Sequence, residues 1–284
     1  MEKWKPINVQ TPRGTFEVFT QGKGDPLCVT HLYSEFNESG DYFAQTFVHT
    51  HKVYLINLRE TGNSVKATEP YELSFLETIY DLEAIRVALG FDRWGFAGHS
   101  TGGMLGVIYG IYFSTSLKFS MIVSSAAREY MTFSPDCIYN EKHGNFRKMQ
   151  GLIEELGRSD LTIDRRKKLS KERIKLSLYE PEKYDELFSL NIEKKISPIR
   201  LQYFSREVQL FDVTKKLIFI SNPTLIICGE FDVQCPITYS REMNELIPNS
   251  KLIVFHKSNH YPFLEEADLF QEEIKNFLKG NLQS

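Results

Sequence analysis

The chain has 284 residues, 42% hydrophobic and 25% charged, which suits one large domain or one domain with an insertion. Its formal charge is -3, from 34 Lys and Arg against 37 Asp and Glu, and this lacks the basic footprint of a nucleic-acid binder. No run of ~18 apolar residues occurs and the opening "MEKWKPINVQTPRG" has no apolar core, so neither a membrane span nor a signal peptide is expected.

Two short alternating stretches, Ile7–Thr11 and Thr15–Thr20, flank "TPRG" and read as a β-hairpin. "GKGDP" (Gly22–Pro26) is a turn. Six continuous apolar runs then follow, each the mark of a strand buried on both faces: Leu27–Leu32, Lys52–Leu58, Arg93–His99, Leu117–Ala126, Pro223–Gly229 and Ser250–Phe255. Helical patterns separate them. "SFLETIYDLEAIRVALG" keeps the helical period and ends on Gly90, and Ser74 with Glu77 predicts a capping box. "GGMLGVIYGIYFS" and the closing "EADLFQEEIKNFLKG" are two more. Buried strands alternating with helices predict an α/β fold with a mostly parallel central sheet flanked by helices. Four cysteines, Cys28, Cys137, Cys228 and Cys235, have no C-x-x-C spacing and read as buried thiols of a cytoplasmic protein.

The alternation breaks between about Arg128 and Arg206, a stretch rich in charge and helix formers with no buried-strand run. It reads as a helical insertion at 128–205 in a core made of 1–127 and 206–284. The block Arg165–Lys168 within it is most simply a solvated helix face.

"GHSTGG" (Gly98–Gly103) lies between the third buried strand and a helix. A G-x-S-x-G turn of this kind is so tight that its flanks must be small; it strains the serine backbone and projects the hydroxyl above the sheet. Ser100 is therefore the candidate nucleophile, at a helix N-terminus that favours negative charge. A serine needs a base and an acid to orient that base. In this architecture they follow in chain order Ser, Asp or Glu, His, each past the carboxyl end of a strand. "GEFDVQCP" supplies Asp232, with Pro236 opening the next helix, and "HKSNHYPFLEE" supplies His260.

Other residues compete for these roles. Glu230 lies two positions from Asp232, and Glu129 follows the fourth buried strand. His256 abuts a strand end and is expected to point into the structure. His99 reads as a packing or hydrogen-bonding residue. His31 could brace the loop after the first buried strand, and His49, His51 and His143 read as structural or exposed. No histidine pair has H-E-x-x-H spacing, so neither metal nor cofactor is expected. The backbone N–H of Thr101 should stabilise an oxyanion, with a second N–H from the loop "HLYSEFNES".

"GHSTGG", "GEFDVQCP", "SNHYPFLEE", "INLRETGNS" and "DLEAIRVALGFDRWGFAGHSTGG" together give the chain its resemblance to the α/β-hydrolase superfamily, esterase and proline-iminopeptidase branches, along nearly its whole length apart from the insertion. The resemblance implies Ser100 as nucleophile, His260 as base, Asp232 as its orienter, and the N–H groups of Thr101 and Tyr33 as the oxyanion hole. It makes the insertion a helical cap. Some positions depart from the usual pattern: Leu32 and Asn259 stand where glycine is usual, and Asn57 and Glu60 where aspartate and glycine are. A serine nucleophile argues against the dehalogenase and epoxide-hydrolase branches, which use aspartate. The expected substrate is a small carboxylic ester, with a short peptide bearing a free N-terminus second. That second activity would need acidic cap residues such as Glu154, Glu155, Asp160 or Asp164 to hold the amine. A receptor that binds a small molecule with little turnover is a rival of another class.

Overall fold

In the computed structural model, which describes residues 3–281, the apolar runs form one eight-stranded sheet. Its strands are β1 (Lys5–Thr11), β2 (Gly14–Gln21), β3 (Pro26–Val29), β5 (Lys52–Ile56), β6 (Trp94–His99), β7 (Leu117–Val123), β9 (Thr224–Gly229) and β10 (Ser250–Phe255). A two-residue strand β4 (Ser34–Glu35) lies outside it and pairs with β8 (Lys195–Ile196). The sheet order is β1-β2-β5-β3-β6-β7-β9-β10. β2 runs antiparallel to both neighbours, and the remaining pairs are parallel.

The runs are apolar throughout because alternate residues feed two different layers. Leu27 and Val29 pack with Phe43, Phe263 and Phe270 on one face. Cys28, Phe96 and Ile56 pack with Ile79, Leu82 and Leu105 on the other. The first layer carries α1 (Tyr42–Gln45), α9 (Pro262–Glu265) and α10 (Ala267–Asn281). The second carries α2 (Phe75–Ala88), α3 (Thr101–Phe113) and α8 (Ile237–Leu246). Three runs overshoot their strands: Leu32, Leu58 and Ala126 lie beyond β3, β5 and β7 yet are as buried as the sheet. Burial sets the composition there, and strand pairing does not.

Ser74 caps α2 by accepting from the Glu77 N–H at 3.2 Å. The reciprocal half of the expected capping box does not form, because the Glu77 carboxylate turns to Arg13, 2.5 Å away. Pro236 stands one position earlier than expected, as the cap residue before α8.

Between β7 and β9 the chain leaves the sheet and returns, with Arg128 and Asp212 bridged at its base. It carries α4 (Phe146–Leu156), α5 (Ile163–Lys175), α6 (Tyr184–Leu187) and α7 (Pro198–Glu207). It also carries β8, although no strand was expected there; two residues are too few to leave a periodic signal. Arg165 to Lys168 are exposed. Among the described residues no helix is long and apolar enough to cross a membrane.

Candidate active site

The parallel strands β3, β6, β9 and β10 all end at one sheet edge, so the loops after them meet there. The loop after β6 is the sharpest. Ser100 has φ 56° and ψ -122°, outside the regions an L-residue prefers. The turn is feasible because its flanks lack Cβ atoms: one on Gly98 would strike the Gly102 carbonyl, and one on Gly102 the Thr30 carbonyl. Ser100 N–H donates to Val123 O at 2.9 Å, tying the turn to the end of β7. Thr101 opens α3, so its N–H has no acceptor inside the helix.

Asp232 is held by its own loop. Its N–H donates to Gly229 O at 3.2 Å, and its Oδ1 accepts from the N–H groups of Gln234 (2.9 Å) and Cys235 (2.8 Å). His260 Nδ1 lies 3.0 Å from both carboxylate oxygens of Asp232, with both side chains buried. A carboxylate accepts only, so Nδ1 carries the proton and Nε2 has a free lone pair. Asn259 Oδ1 accepts from Val233 N–H at 3.0 Å and fastens the two loops together, a bond the usual glycine could not make.

His99 Nε2 donates to the His260 carbonyl at 2.7 Å, and the two rings lie 4.6 Å apart. The nucleophile turn and the His260 loop are thereby joined. Among the described residues, however, the Ser100 hydroxyl makes no hydrogen bond to the His260 ring. Burial, then the nearby His260, holds the His99 pKa well below its usual value.

His31 sits between the β3 and β6 loops, its Nδ1 2.9 Å from Ser34 Oγ and its Nε2 3.2 Å from Thr101 Oγ1. Burial, followed by the charge of Lys194, depresses its pKa strongly. Tyr33 packs edge-on against His31 with ring centroids 4.6 Å apart. The Tyr33 carbonyl accepts from Ser197 N–H at 2.8 Å. Leu32 keeps a backbone with negative φ, so the loop here needs no glycine.

The rival residues lie elsewhere. Glu230 is bound to His256 at 2.8 Å, and both are exposed. The expectation that His256 points inward is therefore wrong: the Glu230 carboxylate draws it outward. Glu129 is buried and accepts from Thr132 N–H at 2.8 Å. His49 is exposed and His51 buried. All four cysteines are buried and free. Of the cap acids named above, Glu155 pairs with Arg165 and Asp160 with Arg158, while Glu154 and Asp164 face solvent.

Three contributors escaped the sequence reading. Arg200 on α7 is 2% exposed; its guanidinium donates to the carbonyls of Leu32 and Arg59 and to Thr78 Oγ1. Ser177, beyond α5, accepts at its carbonyl from the His260 N–H at 3.3 Å. Arg173 on α5 is half-buried, and Tyr139, Tyr261 and Tyr33 act on it electrostatically. Arg173 did leave a signal: Leu169, Arg173 and Leu176 are spaced as one helical face, and Leu169 is buried. A lone cation on that inward stripe was visible. A surface cleft of about 660 Å³ behind the Asp232 loop, lined by Glu230, Phe231 and Lys175 among others, includes neither Ser100 nor His260.

Residues 30–267 match the family model described as alpha/beta hydrolase fold. A solved alpha/beta fold family hydrolase from Bacillus anthracis str. Sterne is 42% identical, covers 97% of this chain and 100% of its own, and superposes with a TM-score of 0.93. A proline iminopeptidase from Saccharolobus solfataricus is 25% identical across 70% of this chain, and the match spans 66% of that protein's length. A pimeloyl-[acyl-carrier protein] methyl ester esterase from Legionella pneumophila (strain Paris) is 23% identical across 91% of this chain and 97% of its own. With the model spanning most of the sequence and the sheet order as described, the chain belongs to the alpha/beta hydrolase fold family.

Proposed function

We propose that this protein is a serine hydrolase that cleaves a small carboxylic ester through an acyl-enzyme. The observation that carries the reading is the buried His260–Asp232 pair at 3.0 Å, joined through His99 to a serine held at φ 56°. In this reading Ser100 Oγ attacks the ester carbonyl carbon while His260 Nε2 takes its proton. The tetrahedral oxyanion is held by the backbone N–H groups of Thr101 and Tyr33. The C–O bond to the leaving alcohol breaks, and the alcohol leaves with the proton from His260. Water then attacks the acyl carbon, gives a proton to Nε2, and Ser100 recovers it as the acid departs. Asp232 stabilises the imidazolium formed in each half-reaction. In this reading the hydrogen bond between the Ser100 hydroxyl and Nε2 forms when substrate binds.

The insertion at 128–205 acts as a cap in this reading. Support comes from Ser177 and Ser197, which bond the His260 and Tyr33 backbones. The aminopeptidase alternative is less well supported, because the acids available to hold an amine are solvent-facing or already paired.

The test is a panel of chromogenic esters of rising acyl length run beside aminoacyl arylamides, with Ser100→Ala as control. The expected result is ester turnover that falls at least about 10³-fold in Ser100→Ala. Equal activity in that variant would discard the mechanism, and a preference for arylamides would replace the ester with an aminoacyl substrate.

A further inference from the structure

The turn after β3 is gripped from the insertion. The Arg200 guanidinium donates to the Leu32 carbonyl, to Arg59 O at 3.0 Å and to Thr78 Oγ1 at 2.9 Å. The Ser197 N–H donates to the Tyr33 carbonyl at 2.8 Å, and Ile196 of β8 pairs with Ser34 of β4. Three consecutive residues, Leu32, Tyr33 and Ser34, are thus each tied to the segment 196–200. The start of this loop lies against the nucleophile turn. His31 Nε2 is 3.2 Å from Thr101 Oγ1, and a Cβ on Gly102 would lie 2.4 Å from Thr30 O and 3.6 Å from His31 Cα. Among the described residues the Tyr33 N–H has no hydrogen-bond acceptor.

The Leu32 carbonyl and the Tyr33 N–H belong to one peptide unit. No cis peptide bond occurs among the described residues, so the two groups point in opposite directions. A donor that fixes the carbonyl therefore fixes the direction of the N–H. Arg200 is 2% exposed, and burial lowers its pKa to about 10, which leaves it charged at neutral pH. Its bond to the Leu32 carbonyl is charge-assisted and polarises the peptide unit, which strengthens the Tyr33 N–H as a donor. The acceptors of Arg200 are two carbonyls and a hydroxyl rather than a carboxylate. An apolar side chain of similar size would fill the same space without burying a charge. What the guanidinium adds is direction.

We propose that Arg200 is a positioning residue for the oxyanion hole: by holding the Leu32 carbonyl from the insertion, it aims the Tyr33 N–H at the oxyanion formed on Ser100. Ser197 completes the grip at the next carbonyl. The hole is then assembled from both parts of the chain, with Thr101 supplied by the core and the direction of Tyr33 set by the insertion. The proposal rests on the serine-hydrolase reading and adds that its second oxyanion donor depends on α7. A residue that only fastened the insertion would act on stability and substrate binding, whereas this one acts on the tetrahedral state.

The test is steady-state turnover of p-nitrophenyl butyrate, with inhibition by a trifluoromethyl ketone of the same acyl chain, which forms a tetrahedral adduct on serine. Arg200→Met keeps the length of the side chain and removes its donors. It is expected to lower kcat by about 10–10²-fold with KM within about threefold, a smaller loss than deleting a donor outright. Inhibition by the ketone should weaken by a similar factor. Arg200→Lys, which can still donate to Leu32, should recover part of the loss. Tyr42→Phe is the fastening control: it removes a different bond between core and insertion, from the Tyr42 hydroxyl to the Leu190 carbonyl, and should change kcat less than about twofold. An unchanged kcat in Arg200→Met, a loss confined to KM, or an equal fall in Tyr42→Phe would overturn the proposal. Should Arg200→Met not fold, Ser197→Pro takes its place, since φ of -76° at Ser197 suits proline and the change deletes the N–H that holds the Tyr33 carbonyl. It should lower kcat at least about fivefold, and an unchanged kcat counts against the proposal. Wild type against Ser100→Ala reads the hydrolase proposal separately. Ser100-dependent turnover that Arg200→Met leaves intact sinks the role of Arg200 alone, and turnover that does not depend on Ser100 sinks the hydrolase reading itself.

Discussion

Ser100, Asp232 and His260 stood out as candidates because each proposed role demands a residue type with a local signature. The strained serine needs its small neighbours Gly98 and Gly102, and the acid and base need loops after apolar runs. Arg200 was illegible beside the candidate site because a lone arginine in a charged segment looks like any other; only the fold turns it inward. The departures from the family pattern have local causes. Asn57 donates to Glu17 Oε2 at 2.7 Å and to Phe36 O at 3.0 Å, so aspartate there would set a second carboxylate against Glu17 and lose both donors. Asn57→Asp is expected to cost about 2–4 kcal/mol in chemical denaturation, and an unchanged midpoint would reject that reason. Glu60 keeps the left-handed backbone, φ 65°, that glycine would otherwise provide. For the acid, Asp232→Asn should lower kcat by about 10³–10⁴ through the wrong imidazole tautomer. Glu230→Gln should change it less than about threefold, since Glu230 serves only an exposed histidine. The reverse ranking would reassign the acid.

Between elements, the insertion is fastened to the core by the packing of Tyr130, Cys137 and Phe204 and by polar contacts. β8 pairs with β4, Arg200 donates to the Leu32 carbonyl, and Glu207 at the end of α7 accepts the Phe75 N–H at the start of α2. Partial burial raises the Glu207 pKa from 4.5 to about 7, against the opposing pull of the Phe75 N–H and the Arg200 charge. A carboxyl whose folded pKa is raised favours the folded state when protonated. Its contribution is complete below pH 4.5 and is lost as pH rises through about 7. Thermal unfolding of Glu207→Gln against wild type should therefore show the wild type losing about 1–2 kcal/mol relative to the variant across that window, a figure reduced for partial exposure. A constant difference between the two would contradict the assignment. His31 and His99 act in the opposite sense: their depressed pKa values stabilise the protein above the usual histidine range, and that stabilisation is lost on acidification. They are common to both proteins and cancel in the comparison.

For the whole molecule, the α/β class and strand sequence were legible because a parallel sheet covered on both faces forces continuous apolar runs separated by helical periods. The spatial order of the strands, and the short β4–β8 pair that brings the insertion onto the loop after β3, were not, because pairing depends on contacts distant in sequence. That topology is what gathers the loops after β3, β6, β9 and β10 at one edge. Peptide mapping by mass spectrometry after treatment with a fluorophosphonate tests whether this gathering makes Ser100 a nucleophile activated by His260. The expected result is a single phosphonylated residue, Ser100, with labelling absent in Ser100→Ala and slowed at least about 10²-fold in His260→Ala. Labelling at another residue, or at Ser100 with undiminished rate in His260→Ala, would contradict it.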